Sequence, residues 1–519
     1  MLWASRAAFL TKNPDLPPRR QGYAAETTPK GRSLDLGASG PSRLQPHHSL
    51  ERTTKTPELF PSVNTPSLTI LGGGPCGLYA AHTALERGAE VCLLEKEASF
   101  GGLAAGHRIG SSGRKNWYDL GVHMLHAFDE EVFATCREAM GEERIEVPLK
   151  SHIKWGGKIY HYPLRGRDIL AGIPPFTLAR CMFGLLLAEL ETRFAQRPVT
   201  HDAESALIEL YGEPLYEFFF EGFTERYWGI HPRYLAAEFV RRKMPRLSAV
   251  DVVKNLFEKL KLSKPRDTTE GALRFETLHY SRTGSEALPR SLAAFVAQNG
   301  ATLHAESPVQ RVHHQDSRIT AVDSPAGTTR SDYFLSTIPL PHLIQALQPT
   351  PPVEVLEAAK QLTFKPMAVY ALLVKKKRCM EALYTYYRDR IFHRVGEPKN
   401  AGLQVTPDGH TTLIVEMTCE IGDRKWSGDA LAEVLADLEA EGLCTPDEVI
   451  EHHLIHATHA YPVFRKGFET HLATVTNYLQ QFKNLRTTGR QGAFTYPNMH
   501  SAMRMGSDAV ESLLKKDKL

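Results

Sequence analysis

The chain has 519 residues, room for about two to four packed units, and its 42% hydrophobic and 23% charged residues are ordinary for a globular protein with a sizeable core. Lys+Arg (62) and Asp+Glu (59) nearly cancel to a formal +3, so the charge offers no footprint for a nucleic-acid partner. The seven cysteines are scattered, odd in number and never spaced CxxC, which excludes a zinc ribbon, argues against a disulfide framework and favours a reducing compartment.

Residues 1–65 hold Pro17-Pro18, a Gly-Ala-Ser-Gly-Pro run and many Ser, Thr and Arg without an apolar period. Such a segment cannot bury enough surface to offset its ordering entropy, so it is expected to be disordered. Its opening, MLWASRAAFLTK, is apolar with Arg6 and Lys12 and weakly resembles a transit peptide. A cytoplasmic location is the expectation, with an organelle as the alternative. Around Met182–Leu187 lies the most apolar stretch, far too short to span a bilayer, so no integral membrane segment is expected.

Order is expected from Pro66. Ser67–Leu71 is a β-branched, apolar run ending in three glycines; Cys76–Arg87 reads as a helix closed by Gly88; Glu90–Glu95 reads as a second strand. Together they make a βαβ unit of ~30 residues. Residues 150–275 read as mostly helical and aromatic-rich, with Phe218-Phe219-Phe220 and Tyr227-Trp228. Strand-like runs return at Val309–Val312 and Arg318–Val322, a hairpin around a polar turn, and at Tyr333–Thr337, Met367–Lys375 and Thr411–Thr418. Leu431–Leu438 and about Ser501–Leu514 read as helices. The fold class is α/β: a Rossmann-like dinucleotide-binding domain built from discontinuous segments, with an inserted α+β substrate domain. The expected boundaries are 66–150, 280–345 and 455–519 for the first, and 151–279 and 346–454 for the second.

Gly72-Gly73-Gly74-Pro75-Cys76-Gly77 fits G-x-G-x-x-G. Gly72 allows the tight turn leaving the strand, Gly74 lets a pyrophosphate approach the backbone, and Gly77 lets helix and strand pack closely. The helix N-terminus, opening at Cys76, offers free N–H groups to phosphate. Glu95 closes the second strand where an acid accepts hydrogen bonds from a ribose, and its charge disfavours a 2′-phosphate and hence NADP. These residues leave NAD and FAD open.

Segments beyond the second strand resemble one family. Glu95-Lys96-Glu97-Ala98-Ser99-Phe100-Gly101-Gly102 is similar to the corresponding stretch of the FAD enzymes of the amine oxidase, protoporphyrinogen oxidase and phytoene desaturase superfamily. So are Tyr118-Asp119-Leu120-Gly121-Val122-His123 and, in part, Gly284-Ser285-Glu286-Ala287-Leu288-Pro289, where Ser285 and Glu286 depart from the family's glycine and methionine. Pro308-Val309-Gln310-Arg311-Val312 and Ser336-Thr337-Ile338-Pro339 resemble family strands, and Gly489-Arg490-Gln491-Gly492-Ala493-Phe494-Thr495-Tyr496-Pro497-Asn498-Met499 resembles its C-terminal flavin-binding stretch. The resemblance implies FAD, held by Gly72, Gly74, Cys76, Gly77, Glu95, Gly101, Gly102, Gly121, Val309, Thr337, Gly489, Arg490, Phe494, Asn498 and Met499. Family members often place an acid where His500 stands.

Two segments also resemble UDP-galactopyranose mutases: Gly121-Val122-His123-Met124-Leu125-His126 and Phe223-Thr224-Glu225-Arg226-Tyr227-Trp228-Gly229, with Arg242 at the spacing of their substrate-side arginine. Arg226 and Tyr227 replace their Lys and Gln, and no uridine-binding portion is matched. The resemblance implies His123, Arg242 and Trp228 as the catalytic set. His123 alone reads equally as packing or function, and the resemblance moves it to function; His126 reads as structural. No metal site is expected, because the histidine pairs lack a third ligand at metal spacing. The expected function is a FAD-dependent oxidoreductase taking hydride from a C–N or C–C bond of a small-molecule substrate. A non-redox sugar-nucleotide mutase using reduced FAD and a catalytically idle flavin protein are the alternatives.

Overall fold

A computed structural model describes residues 65–515 except 112–114, 122, 163–167, 169–171, 195–199 and 244–276. The expected disordered extension, Val122 and the end of the 150–275 region lie outside the described residues.

The βαβ reading holds. Strand Ser67–Leu71 stops at Gly72, Pro75 occupies the first turn of helix Pro75–Glu86, where its missing N–H costs nothing, and Gly88 (φ +75°) ends it. Strand Glu90–Leu94 then returns parallel to the first, register Ile70 opposite Leu93. Thr302–His304, Tyr333–Ser336 and Leu485–Thr487 complete a five-stranded parallel sheet, drawn from three distant parts of the chain. Both faces are covered, as a parallel sheet requires. Leu68, Ile70, Val91 and Leu93 pack with helices Pro75–Glu86, Ala287–Gln298 and Met499–Leu514. Leu71, Leu94 and Phe334 face Leu340–Ala346, Val353–Gln361 and Phe468–Gln480 instead.

A second sheet has seven strands in the order Val449–Pro462, Phe364–Val374, Thr411–Thr418, Arg394–Gly396, Tyr384–Tyr387, Ser151–Trp155 and Lys158–Tyr162. One face packs on helices Ala203–Tyr211 to Ala237–Lys243, the other on Leu431–Ala440. The expected helical region therefore opens with two strands, whose lysines and histidines blur the alternation of Ser151–Trp155 and Lys158–Tyr162. Two further readings shift. The hairpin's first strand runs Arg311–Gln315, leaving Val309 in the preceding loop, and Val449–Pro462 is a 14-residue strand where histidines hide the period. No described helix is long and apolar enough to cross a membrane.

Candidate functional site

The glycine loop and the C-terminal segment meet at one place. At Gly77 a Cβ would lie 2.0 Å from the Gly72 carbonyl oxygen, so only glycine lets helix and strand pack this closely. At Gly74 the reverse holds: a Cβ would meet nothing closer than the Gly102 Cα at 3.9 Å. Gly101 N–H donates to the Gly73 carbonyl (2.8 Å), so the Gly101-Gly102 turn lies beside the Gly73-Gly74 turn. Between these turns is a backbone-lined cradle that a side chain on Gly74 would fill, which fits a bound diphosphate. Glu95, buried at the strand end, accepts from Gly73 N–H (2.7 Å) and Glu97 N–H (3.0 Å). Alongside runs the loop before Val309, with Ser307 N–H donating to the Glu95 carbonyl (2.7 Å).

Thr337 Oγ1 donates to the Leu71 carbonyl (3.0 Å) at the sheet's C-terminal edge. Gly489 lies against Cys76, whose thiol burial pushes up to about 12, so Cys76 is a packing residue rather than a nucleophile. Helix Met499–Leu514, capped at Asn498, crosses the loop helix at Gly506, where a Cβ would fall 2.4 Å from the Cys76 carbonyl. Phe494 is fully buried among Phe364, Phe464 and Phe468; its ring belongs to the core, leaving its backbone for any cofactor contact.

From this edge the chain leads to a second cluster. Asp119 is buried, accepting from the Tyr280 hydroxyl and from Ser285 N–H (2.9 Å). Burial raises its carboxyl to about 6 against those hydrogen bonds. Four residues on, His123 sits beside Gly121, and Glu416 approaches the same point: a Gly121 Cβ would be 3.1 Å from His123 Cε1 and 3.5 Å from Glu416 Oε1. Burial, the Arg490 charge and the Arg394 charge drive His123 down to about 4 against the pull of Glu416. Its Nδ1 is buried and has no hydrogen-bond partner. A neutral ring with an unpartnered polar atom is the feature here that most needs a ligand.

The seven-stranded sheet builds the opposite wall by register. Tyr386 pairs with Arg394, Arg394 with Glu416, and Glu416 with Val369, so the four stand in a row on the face toward helix Glu221–Trp228. Arg394 clamps Glu416 bidentately (2.7 and 2.6 Å) and lies over the rings of Tyr384 and Tyr386. Burial opposes the Glu416 charge, yet Arg394 and His393 outweigh it and hold the carboxyl at about 2. His393 is buried with its Nε2 3.7 Å from Glu416 Oε2, and burial keeps it below its ordinary range against the pull of that carboxylate. Tyr227 stands edge-on to His393 (4.9 Å) and neighbours Tyr461, which meets Tyr496 at 5.3 Å; Arg490 lies over Tyr496.

The structure thus brings His123 and Arg490 together with four residues that sequence reasoning did not single out for a role: Arg394, Glu416, His393 and Tyr461. Glu416 carried a signal, a lone acid in the apolar run Thr411–Thr418. Trp228 is 1% exposed and packs behind Tyr227. Arg242 falls in helix Ala237–Lys243, and its side chain is outside the described residues.

A parallel sheet crossed by a glycine loop, with a C-terminal segment returning to that loop, defines a dinucleotide-binding fold. Residues 75–429 match the flavin-containing amine oxidoreductase family, most of the chain, and the protein belongs to it. FAD is its cofactor. Among curated proteins it is 25% identical over 177 residues to dTDP-fucopyranose mutase of Escherichia coli, covering 33% of this chain and 44% of that one. The chain therefore spans less than half the length of that relative. In fold it is similar to reduced UDP-galactopyranose mutase (TM-score 0.72, 17% identity, 87% of this chain and 94% of that one). It is also similar to putrescine oxidase bound to putrescine (TM-score 0.57, 14% identity, 87% and 99%).

Proposed function

We propose that this protein is an oxidoreductase that removes hydride from a C–N or C–C bond of a small organic substrate, the electrons passing to dioxygen or another acceptor. In this reading 66–150, 280–345 and 455–519 carry the cofactor, and 151–279 and 346–454 shape the substrate chamber. FAD, when bound, supplies the hydride acceptor. His123 contributes a neutral imidazole whose unpartnered Nδ1 can hold an N–H or O–H of the substrate. Tyr227, Tyr461 and Tyr496 form an aromatic wall that excludes water and favours an amine through its ring faces. Trp228 backs that wall.

The observation that carries the reading is the engagement of both guanidiniums whose charge reaches His123. Arg394 is neutralised by Glu416, and Arg490 is committed to the Ala460 and Pro497 carbonyls and the Tyr496 ring. Among the described residues the chamber therefore offers a diphosphate no uncommitted clamp and suits a neutral or cationic substrate. The test is anaerobic: the purified flavoprotein is titrated with primary and secondary amines, and bleaching of the flavin spectrum is expected. No bleaching by any amine, with sugar-nucleotide isomerisation only after dithionite, would overturn it.

That outcome would favour the second reading, a non-redox sugar-nucleotide mutase, which the likeness to a fucopyranose mutase supports. There Arg242 would hold the anionic group. Arg242→Lys keeps the charge but loses the fork, so half-saturation by the sugar nucleotide should rise about ten- to a hundredfold with flavin content unchanged. Equal half-saturation would remove Arg242 from the site.

A further inference from the structure

The seven-stranded sheet gathers three cations without ion pairs at one end. Strand pairing sets Tyr387 opposite Lys154, and Arg394 opposite both Tyr386 and Glu416, so the segments leaving Ser151–Trp155, Tyr384–Tyr387 and Thr411–Thr418 emerge side by side. Arg388 follows the second of these strands, and Lys425 sits in the short helix Arg424–Ser427 after the third. Arg226 arrives from the last turn of helix Glu221–Trp228. Their hydrogen bonds all end on neutral backbone carbonyls: Arg226 Nη1 donates to Arg388, Arg388 Nη1 to Phe218 (2.8 Å) and Lys425 Nζ to Thr418 (3.4 Å). Arg388 also lies over the Trp155 ring, 4.2 Å from its centroid. Among the described residues none of the three forms an ion pair with a carboxylate. Lys365, the next cation, does: it is paired with Glu420.

Three carboxylates stand near enough to feel this charge, and each is committed elsewhere. Asp389 accepts from Gly156 N–H (3.3 Å), and Asp437 accepts from Ile391 N–H (2.7 Å) beside Arg390. Asp423 caps its own helix through Lys425 N–H and Trp426 N–H (2.9 Å each). The three cations act on one another instead. Burial, with the Arg226 charge, brings Arg388 down to about 10 against the pull of Asp389. Burial and Arg226 also lower Lys425 against Asp423, and burial lowers Arg226 against Asp389 and Asp437. Two of them have a partial structural reason, since Arg226 complements a helix C-terminus and Arg388 stacks on Trp155. Neither reason calls for three like charges together, which repel and which folding alone would pair or disperse.

We infer that Arg226, Arg388 and Lys425 form an anion-binding site whose ligand carries a phosphate group. A carboxylate offers one charge and two oxygens, which a single guanidinium satisfies; three cations from three elements match a dianion with oxygens on several sides. The site is separate from the chamber around His123. The charges acting on His123 are those of Arg490, Arg394 and Glu416, whereas Lys425 acts on His393. An anion held here would reach the chamber through His393, which lies 3.7 Å from Glu416 and edge-on to Tyr227, so occupancy would favour the His393 imidazolium. Neither substrate reading above is needed for this site.

The test uses the full-length, FAD-loaded protein, so that the cofactor's own phosphate site is filled. Inorganic phosphate and phenyl phosphate are the probes, at constant ionic strength set by chloride. In wild type the melting temperature should rise with probe concentration, as binding to the native state requires. Lys425→Gln and Arg226→Gln each remove a charge-assisted hydrogen-bond donor. Each should raise the half-saturating probe concentration by about tenfold to a hundredfold, with the visible flavin spectrum unchanged. Arg388 is left in place because it stacks on Trp155. Stability without probe separates ligand binding from fold support: removing one of three repelling cations should leave the melting temperature in chloride at or above that of wild type. A melting temperature that falls in both variants without probe would make these cations structural and overturn the site. So would equal half-saturation in wild type and variants, or no rise with either probe at constant ionic strength. Binding of both probes assigns the site to free phosphate, and binding of phenyl phosphate alone assigns it to the phosphate group of a larger organic ligand.

Discussion

The proposed cofactor cradle and substrate chamber are adjacent but made of different material. Around Gly72–Gly77, Gly101-Gly102 and Gly489 the work is done by backbone: absent side chains, a helix N-terminus and a carboxylate at a strand end. Around His123 it is done by side chains that arrive from separate elements, with Arg394 and Glu416 aligned by strand register and Tyr227 facing them from a helix. Backbone geometry is local, so it tolerates change elsewhere. A buried ion pair is not: its stability depends on both partners being present at once. The two regions should therefore fail in different ways.

The largest effect is expected at the ion pair. Glu416 is fully buried, and Glu416→Ala strips the Arg394 guanidinium of its bidentate carboxylate partner in a nearly dry site. Removing one member of a buried pair costs about 3–5 kcal/mol, so urea denaturation should show a loss of that size. Replacing both, Glu416→Leu with Arg394→Met, should restore most of it. A double variant as unstable as the single would mean that the pair is not what Glu416 contributes.

Next come two glycines three residues apart. Gly74→Val should leave the apoprotein's melting temperature close to wild type, because a Cβ there meets little protein, yet the purified protein should be colourless. Its apparent stability then falls only by the lost cofactor term, about 2.7–4.1 kcal/mol at a hundred to a thousand times Kd. Gly77→Ala should do the opposite. Its Cβ strikes the Gly72 carbonyl, so the apoprotein itself should lose about 1–3 kcal/mol, read by thermal unfolding without flavin. Equal apoprotein stabilities for the two variants would erase the distinction between cradle and packing glycine.

The same contrast explains what the sequence disclosed. The cradle was legible because its determinants are consecutive: strand, glycines, Pro75, helix and Glu95 fall within some thirty residues, and each departs from ordinary composition. The chamber was not, because register between Tyr384–Tyr387, Arg394–Gly396 and Thr411–Thr418 is a property of pairing and cannot be read along one strand. Val449–Pro462 was missed for a related reason. His452, His453, His456 and His459 break its apolar alternation, although Ile455, Ala457 and Tyr461 still face the core. Trp228 shows the converse: a motif residue whose burial gives it a supporting position.

Acid titration should separate His123 from Glu416, with the smallest effects. An unfolded imidazole takes its proton near 6.5, but folded His123 resists until about 4 because of its burial and the Arg490 and Arg394 charges. The native state therefore binds fewer protons, and the stability tied to His123 is whole above 6.5 and lost as pH falls toward 4. Glu416 behaves likewise one step lower, present above 4.5 and lost toward 2, because Arg394 holds it ionised. His123→Gln has no proton to take. Its melting temperature should fall less than wild type's between pH 6.5 and 4, and the two curves should run parallel below that, where Glu416 governs both. His459 and His500, also held near 4 by burial, remain in both proteins and cancel from the difference. A difference curve that is flat from pH 6.5 to 4 would mean that His123 is already solvated and charged in the folded protein, and the neutral hydrogen-bonding role beside the flavin would go with it.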